Sequence, residues 1–267
     1  MRRTLSAITN DGFAHGAAFG DVTSLALASL RIALTSWFST YHIFAHNTWR
    51  LVEGKKLDDR EHSWEYFVLQ SEAIVHLQHF AELVCKDILR SEHELLVTIA
   101  NSDPVMQHRL LNSENVSPQD LKGQRTIEFN EALTALTELT KAERIRRTDH
   151  RFVPAHKDAL VELNRLRNRL WHRGTYTLRT TALDELFGGH LLPFVRDVTA
   201  LPEYRKIESI WKPHRLACGI GVLSELRNEL KKHNGTPRKL FISKKWVELL
   251  TLIHWKRMDL LVSSVIN

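Results

Sequence analysis

Cysteine is nearly missing from this chain: Cys85 and Cys218 are its only two in 267 residues. That is too few for a disulfide framework, and their separation matches no zinc-ligand spacing. Two buried thiols in a reducing cytoplasm are the expectation. Glycine and proline are also thin, at eleven and seven, and alternating Val, Ile, Thr and Tyr runs bounded by turn residues are hard to find. A sheet-rich fold lacks its turn chemistry here. Long apolar runs are missing too. The stretch from Val22 to Ala45 is interrupted by Arg31 and several Ser and Thr, no small-residue cleavage site follows it, and no lipidation signal is present, so a soluble amphipathic helix is expected rather than a leader or a membrane anchor.

What is present is enough apolar sequence for a core. Apolar residues make up 43% of the chain and charged residues 25%, the balance of a packed globule rather than of a disordered chain. The predicted class is all-α, a helical bundle with a long N-terminal helix and a C-terminal helical extension. The formal charge of +6 points to an acidic partner, and without a spanning segment nucleic acid is favoured over a membrane.

Helical periodicity divides the chain. Asp21 can cap a helix carrying Leu27, Leu30, Leu34, Trp37, Tyr41 and Phe44 and running towards Val52, where Gly54-Lys55-Lys56 breaks it. A second helix is predicted from Ser63 to Arg90, then a short apolar stretch from Leu95 to Ala100. Residues 101–125, rich in Asn, Ser, Pro and Gln, read as a loop. Glu128 to Leu139 is periodic again. A basic connector leads to Pro154, placed to start the next helix, and Gly174 to stop it. Further helices are predicted over Leu178 to Val198, broken near Gly188-Gly189, then over Leu216 to Lys232 and Lys244 to Val265. In domain terms, 1–61 is expected to be an N-terminal arm, 62–200 the core, and 201–267 an extension packed on it.

The basic excess is concentrated. Residues 144–179 hold ten Lys or Arg against three acids, a net +7 in a chain whose total is +6. Arg146, Arg147, Arg151, Lys157, Arg165, Arg169 and Arg173 are the expected phosphate contacts. Inside the window, Leu160, Leu163, Leu166 and Leu170 make one buried stripe at 100° per residue, with Arg167 on its shoulder, where an unpaired charge is costly. Arg167 therefore wants a partner or an anion. Asn168 and His172 are spaced i,i+4, so the amide can bond the imidazole and fix its tautomer. Arg167 and His172 project about 140° apart on the helical period, and line one groove only if a second surface faces them, as in a dimer.

The string Leu166-Arg167-Asn168-Arg169-Leu170-Trp171-His172 resembles the signature of the HEPN superfamily: Arg, a polar residue that is often Asn, three further residues, then His. Glu82 to Leu89 is similar to the E-x-x-x-K-x-x-L pattern of an early helix in many members, and Thr126 to Leu133 to a segment before the motif helix. The resemblance covers roughly residues 62 to 175. It implies a HEPN-type helical domain acting as a metal-independent endoribonuclease, in a toxin-antitoxin, abortive-infection or other defence system, with no cofactor and with RNA as substrate. It also implies a homodimer sharing a cleft and a neutralising antitoxin or other defence partner. By the same resemblance Arg167 and His172 are catalytic and Asn168 supports them; Glu82, Lys86, Trp171 and Tyr176 are expected in supporting roles. Some antitoxin-paired members carry a tyrosine two residues after the histidine. Gly174 stands there in this chain, so regulation through that tyrosine does not carry over.

A second string, Leu223 to Gly235, echoes the first at looser spacing, with Arg227, Asn228 and His233; it reads as a helix with a basic last turn and a glycine stop, with a further half-site as the alternative. Three other readings compete, one of them a purely structural helical partner protein. A noncatalytic RNA-binding protein or helical scaffold would use the same basic helix. A metal hydrolase would use His42 and His46, or Glu72, His76 and His79, which sit at helical ligand spacings.

Overall fold

The computed structural model describes residues 22–45, 64–99, 103–112, 114, 116, 125–173 and 176–207. Helices predominate among them, as the sequence predicts. The first, α1 (Val22–Ala45), lies along α2 (Trp64–Glu92). Leu27, Leu30, Leu34 and Trp37 are all buried, and at three-to-four spacing they form the continuous stripe a core-facing helix needs. Two polar contacts fix direction and register. Ser29 Oγ meets His79 Nδ1 at 2.9 Å, and Ser36 donates to Glu72 at 2.7 Å. Later residues of α1 therefore meet earlier residues of α2, and the pair is antiparallel.

This pairing corrects the expected arm. The stripe of α1 and the buried face of α2, including Ala73, Ile74, Leu77, Phe80 and Val84, belong to one continuous core. The described part of segment 1–61 is thus a wall of the domain. By length and composition the Val22–Thr40 stretch of α1 could cross a membrane, but half of it is buried inside the protein, as a core helix requires. Trp37 adds a specific tie: its Nε1 donates to Asp184 at 3.0 Å in a buried site.

The motif-bearing helix α5 (Lys157–Arg173) buries Leu160, Leu163, Leu166 and Leu170 as predicted, together with Asn164. It packs on α2 and on α4 (Phe129–Lys141). Asn164 Nδ2 donates to Asn130 Oδ1 at 3.1 Å across the α4 contact, which gives the buried amide an acceptor. Glu128 N–H donates to the Glu131 carboxylate at 2.7 Å at the start of α4, and Glu143 takes a left-handed φ of 56° just beyond its end. No glycine marks that stop, so the sequence carried no signal for it. Pro154 lies in a 3-10 turn, Val153–His156, directly ahead of α5 rather than within its first turn.

Residues 101–125 are not all loop. Asp103 accepts from Met106 N–H at 2.9 Å and caps α3 (Pro104–Leu111), with Pro104 at its start. An aspartate cap followed by proline is a sound start signal, obscured by the polar residues around it. The Leu95–Ala100 stretch begins as a 3-10 turn and continues into β1 (Thr98–Ile99), which pairs antiparallel with β2 (Arg125–Thr126). Downstream, α6 (Thr180–Asp184) passes into a π turn, Glu185–Leu191, and then α7 (Leu192–Ala200). The Gly188-Gly189 pair therefore widens the helix instead of breaking it. Leu201 and Tyr204, the latter in α8 (Pro202–Arg205), are buried in the main core, so the core runs past residue 200. The predicted helices over Leu216–Lys232 and Lys244–Val265, and the Arg227, Asn228, His233 string, lie outside the described residues.

A core α1 and a peripheral arm make different predictions about stability. Leu30 is fully buried, so Leu30→Ala is expected to lower unfolding free energy by about 2–5 kcal/mol in urea denaturation. A loss below about 0.5 kcal/mol would mean that α1 is not part of the core.

Candidate active site

The path of the chain fixes where the motif sits. Arg146, just ahead of α5, is clamped to the C-terminal end of α2: its Nε donates to Glu92 at 2.8 Å, and its Nη2 to the Ser91 and Glu92 carbonyls at 2.6 Å. Beyond α5, Tyr66 and Gln70 near the start of α2 hold the backbone of Tyr176 and Leu178. The motif helix therefore runs antiparallel to α2, and its last turn lies at the Tyr66 end of the core.

On that last turn Arg167 is partly buried and His172 is exposed. Arg167 Nη1 donates to Asn168 Oδ1 at 2.9 Å, and its Cζ lies 5.7 Å from the Trp171 ring centroid. Its Nε is buried without an acceptor among the described residues. A buried N–H left unmade is expensive, more so on a charged group, and this one leaves Arg167 short of a single acceptor. The expected Asn168–His172 bond does not form. The Asn168 carbonyl turns instead to Arg167, whose partly desolvated charge has more to gain from an acceptor than a solvated imidazole does. His172 is left with no bond to another described side chain, in keeping with its projection away from Arg167.

Two residues that sequence reading missed order the chain after the motif. Gln70 is fully buried and uses both ends of its amide, donating to Tyr176 O at 3.3 Å and accepting from Leu178 N–H at 2.9 Å. Tyr66, one turn earlier, donates its hydroxyl to Leu178 O at 3.0 Å. A glutamine among the buried positions of the helix was the available signal, since a buried amide must find partners. Tyr176 in turn receives Arg169, whose Cζ lies 3.7 Å from the ring centroid. Such a stack is worth about 0.5–1 kcal/mol at an exposed site. Trp171 is 67% exposed and is surface rather than core.

The basic window, contiguous in sequence, is split in space. Arg146 is engaged with Glu92. Arg147 pairs with Asp149 at 2.7 Å and Glu203 at 3.1 Å. Arg151 donates to the Ile145 carbonyl at 2.7 Å. These three lie towards the Ser91 end, while Arg165, Arg169 and Arg173 belong to the last turns of α5. Twenty-one residues of α2 separate Gln70 from Ser91, about 30 Å at 1.5 Å per residue. Arg165 pairs with Glu162 on the exposed surface, a contact weak enough to yield to a phosphate. Lys157 opens α5 and is partly buried, at the end away from the motif.

Glu82 and Lys86 form their own unit. Lys86, 8% exposed, donates to Glu82 at 2.7 Å and to Thr126 Oγ1 at 3.1 Å, and Gln78 donates to Glu82 at 3.0 Å. They join α2 to β2, and among the described residues neither bonds Arg167 or His172. Burial alone would raise the Glu82 carboxyl, but the hydrogen bonds from Lys86 and Gln78, with the nearby positive charge, outweigh it and hold the group below its ordinary range. Two of the residues weighed as metal ligands have other duties: Glu72 accepts from Ser36, and His79 meets Ser29, while His76 Nδ1 is buried with no partner among the described residues. Burial, partly offset by Glu82, holds His79 below the ordinary imidazole value. Among the described residues no three His, Cys, Asp or Glu side chains gather as a metal site; the His42 and His46 pair falls outside them.

The depressed Glu82 carboxyl gives a signed prediction. Its stabilisation is present above the ordinary glutamate value of 4.5 and is lost as pH falls through the lower value in the folded protein. Glu82→Gln is expected to be less stable than wild type at pH 7, with the gap closing as pH drops below that ordinary value. Urea titrations from pH 7 to pH 3 measure it, and a gap that stays constant or widens on acidification would overturn the assignment.

No protein-family model matches this sequence, and no curated protein or solved structure is significantly similar to it.

Proposed function

We propose that the protein is a metal-independent endoribonuclease of HEPN type, acting as a toxin or defence effector. The observation that carries this reading is Arg167: partly buried, bonded to Asn168, with its Nε lacking an acceptor one turn from an exposed His172. The outer edge of this guanidinium, whose Nη2 bonds no described side chain, is the part that can meet a phosphoryl oxygen, and charge developing on that oxygen in the transition state strengthens the contact. The RNA 2′-hydroxyl attacks the adjacent phosphorus and loses its proton to a basic imidazole; the P–O5′ bond breaks, and an acidic imidazole protonates the leaving oxygen. The products are a 2′,3′-cyclic phosphate and a 5′-hydroxyl. Because Arg167 and His172 project about 140° apart, a second copy facing the first completes the groove, and two His172 side chains divide the acid and base roles.

Trp171, exposed beside Arg167, is available to stack on an unpaired base, and the arginines of the last two turns of α5 take the backbone phosphates. Arg146, Arg147 and Arg151, engaged internally and about 30 Å away along α2, contribute less than their place in the sequence suggests. A second reading, a noncatalytic RNA-binding or helical partner protein, draws on the angle between Arg167 and His172, which keeps them apart on a single chain.

One comparison separates the two. Purified wild type and His172→Ala are incubated with a mixed RNA pool in excess EDTA, and cleavage and end groups are read. The ribonuclease reading expects cyclic-phosphate ends from wild type and a loss of about 10²–10⁴-fold in rate for the variant. Equal cleavage by both proteins, or none by either, moves the assignment to RNA binding or scaffolding.

A further inference from the structure

The bonds made by Gln70 go beyond ordinary core satisfaction. A buried glutamine can be satisfied by any two partners, yet this one takes the carbonyl of Tyr176 and the N–H of Leu178, the backbone groups on either side of Thr177. It stands in for a neighbouring strand. Tyr66, four residues earlier on the same face of α2, closes the arrangement through the Leu178 carbonyl. Three hydrogen bonds from two fully buried side chains thus hold a non-helical segment that follows the motif helix in sequence. On that segment rides Tyr176, and on the Tyr176 ring lies Arg169 at 3.7 Å.

From this chain of contacts we infer that Gln70, assisted by Tyr66, is a positioning residue of the candidate site: it fixes the 176–178 strap so that Tyr176 holds the Arg169 guanidinium, which stands three positions before His172 on the same side of the motif helix. An exposed arginine normally samples many rotamers, and ordering it on arrival of a ligand costs entropy. Stacked on a fixed ring, Arg169 is already ordered and keeps its N–H edge free for an anion. Preorganisation of this kind improves binding by lowering the cost of association. Gln70 touches no reacting atom and acts through the strap alone. The consequence for RNA affinity rests on the ribonuclease reading; the consequence for Arg169 does not.

The test uses the full chain in wild-type, Gln70→Leu, Tyr66→Phe and Tyr176→Leu forms, with circular dichroism establishing that each is folded. The side-chain Nε–H signal of Arg169, assigned through its loss in Arg169→Lys, is followed by NMR. Ring current from Tyr176 displaces it upfield in wild type. Gln70→Leu and Tyr176→Leu return it to the position of the solvated arginines, and Tyr66→Phe, which removes one bond of three and keeps the ring, moves it partway. On a synthetic RNA that wild type cleaves, Gln70→Leu raises KM about tenfold and leaves kcat within about twofold. A merely structural role would remove active protein, lowering the apparent kcat with KM unchanged. An Arg169 signal that does not move in folded Gln70→Leu, or in Tyr66→Phe if Gln70→Leu does not fold, overturns the inference; so does the reversed kinetic pattern. If wild type cleaves no RNA, the ribonuclease reading fails, and the Arg169 signal alone upholds or overturns the strap.

Discussion

The burial of one leucine stripe against α2 governs the rest. Leu160, Leu163, Leu166 and Leu170 face the core, and about 1.5–3 kcal/mol per fully buried leucine makes any other rotation of α5 unfavourable. Once that face is fixed, so are the others: Asn164 turns to Asn130, Arg167 to the shoulder, and Arg165, Arg169 and His172 to solvent. The antiparallel course of α5 along α2 then places the motif's last turn at the Tyr66 and Gln70 end. The candidate side chains of the motif take their positions from apolar packing they do not themselves join.

Buried polar groups give that packing its register. Leucines alone tolerate sliding, because one turn of a helix resembles the next. Each polar contact removes alternatives: Trp37 with Asp184, Ser29 with His79, Lys86 with Glu82 and Thr126, and Gln70 with the strap. A slip by one turn would leave these groups desolvated and unpaired, at about 1–3 kcal/mol for each neutral group and more for a charged one. Whether such polar ties also raise net stability is a separate matter, since a well-packed apolar replacement often serves as well. Their effect is to select a single arrangement.

Electrostatics look different in space than along the chain. The window 144–179 carries +7 and reads as one basic patch. In the fold its first part caps the C-terminal end of α2 and pairs with Glu92, Asp149 and Glu203, while its last part surrounds the motif about 30 Å away along that helix. With a screening length of about 8 Å at physiological salt, the two groups act independently. One holds the connector to the core, and in the other Arg165 and Arg169 stand exposed on the motif helix.

Sequence alone determined the helical class and the extents of the strongest helices. Periodicity predicted Ser63 to Arg90 against the observed Trp64–Glu92, which follows from a local rule, the 3.6-residue period. It also singled out Arg167 as a charge in need of a partner, because a position on an amphipathic wheel can be read without knowing what packs against it. Tertiary structure decided everything that rests on distant pairing. Arg146 meets Glu92 across 54 positions of sequence, Gln70 meets Leu178 across 108, and Trp37 meets Asp184 across 147. No spacing rule links residues so far apart, so α1 as a wall of the core and the splitting of the basic window emerge only when α1, α2 and α5 pack together. Local sequence sets which face a helix shows; the competition of all faces for one core sets what that face meets.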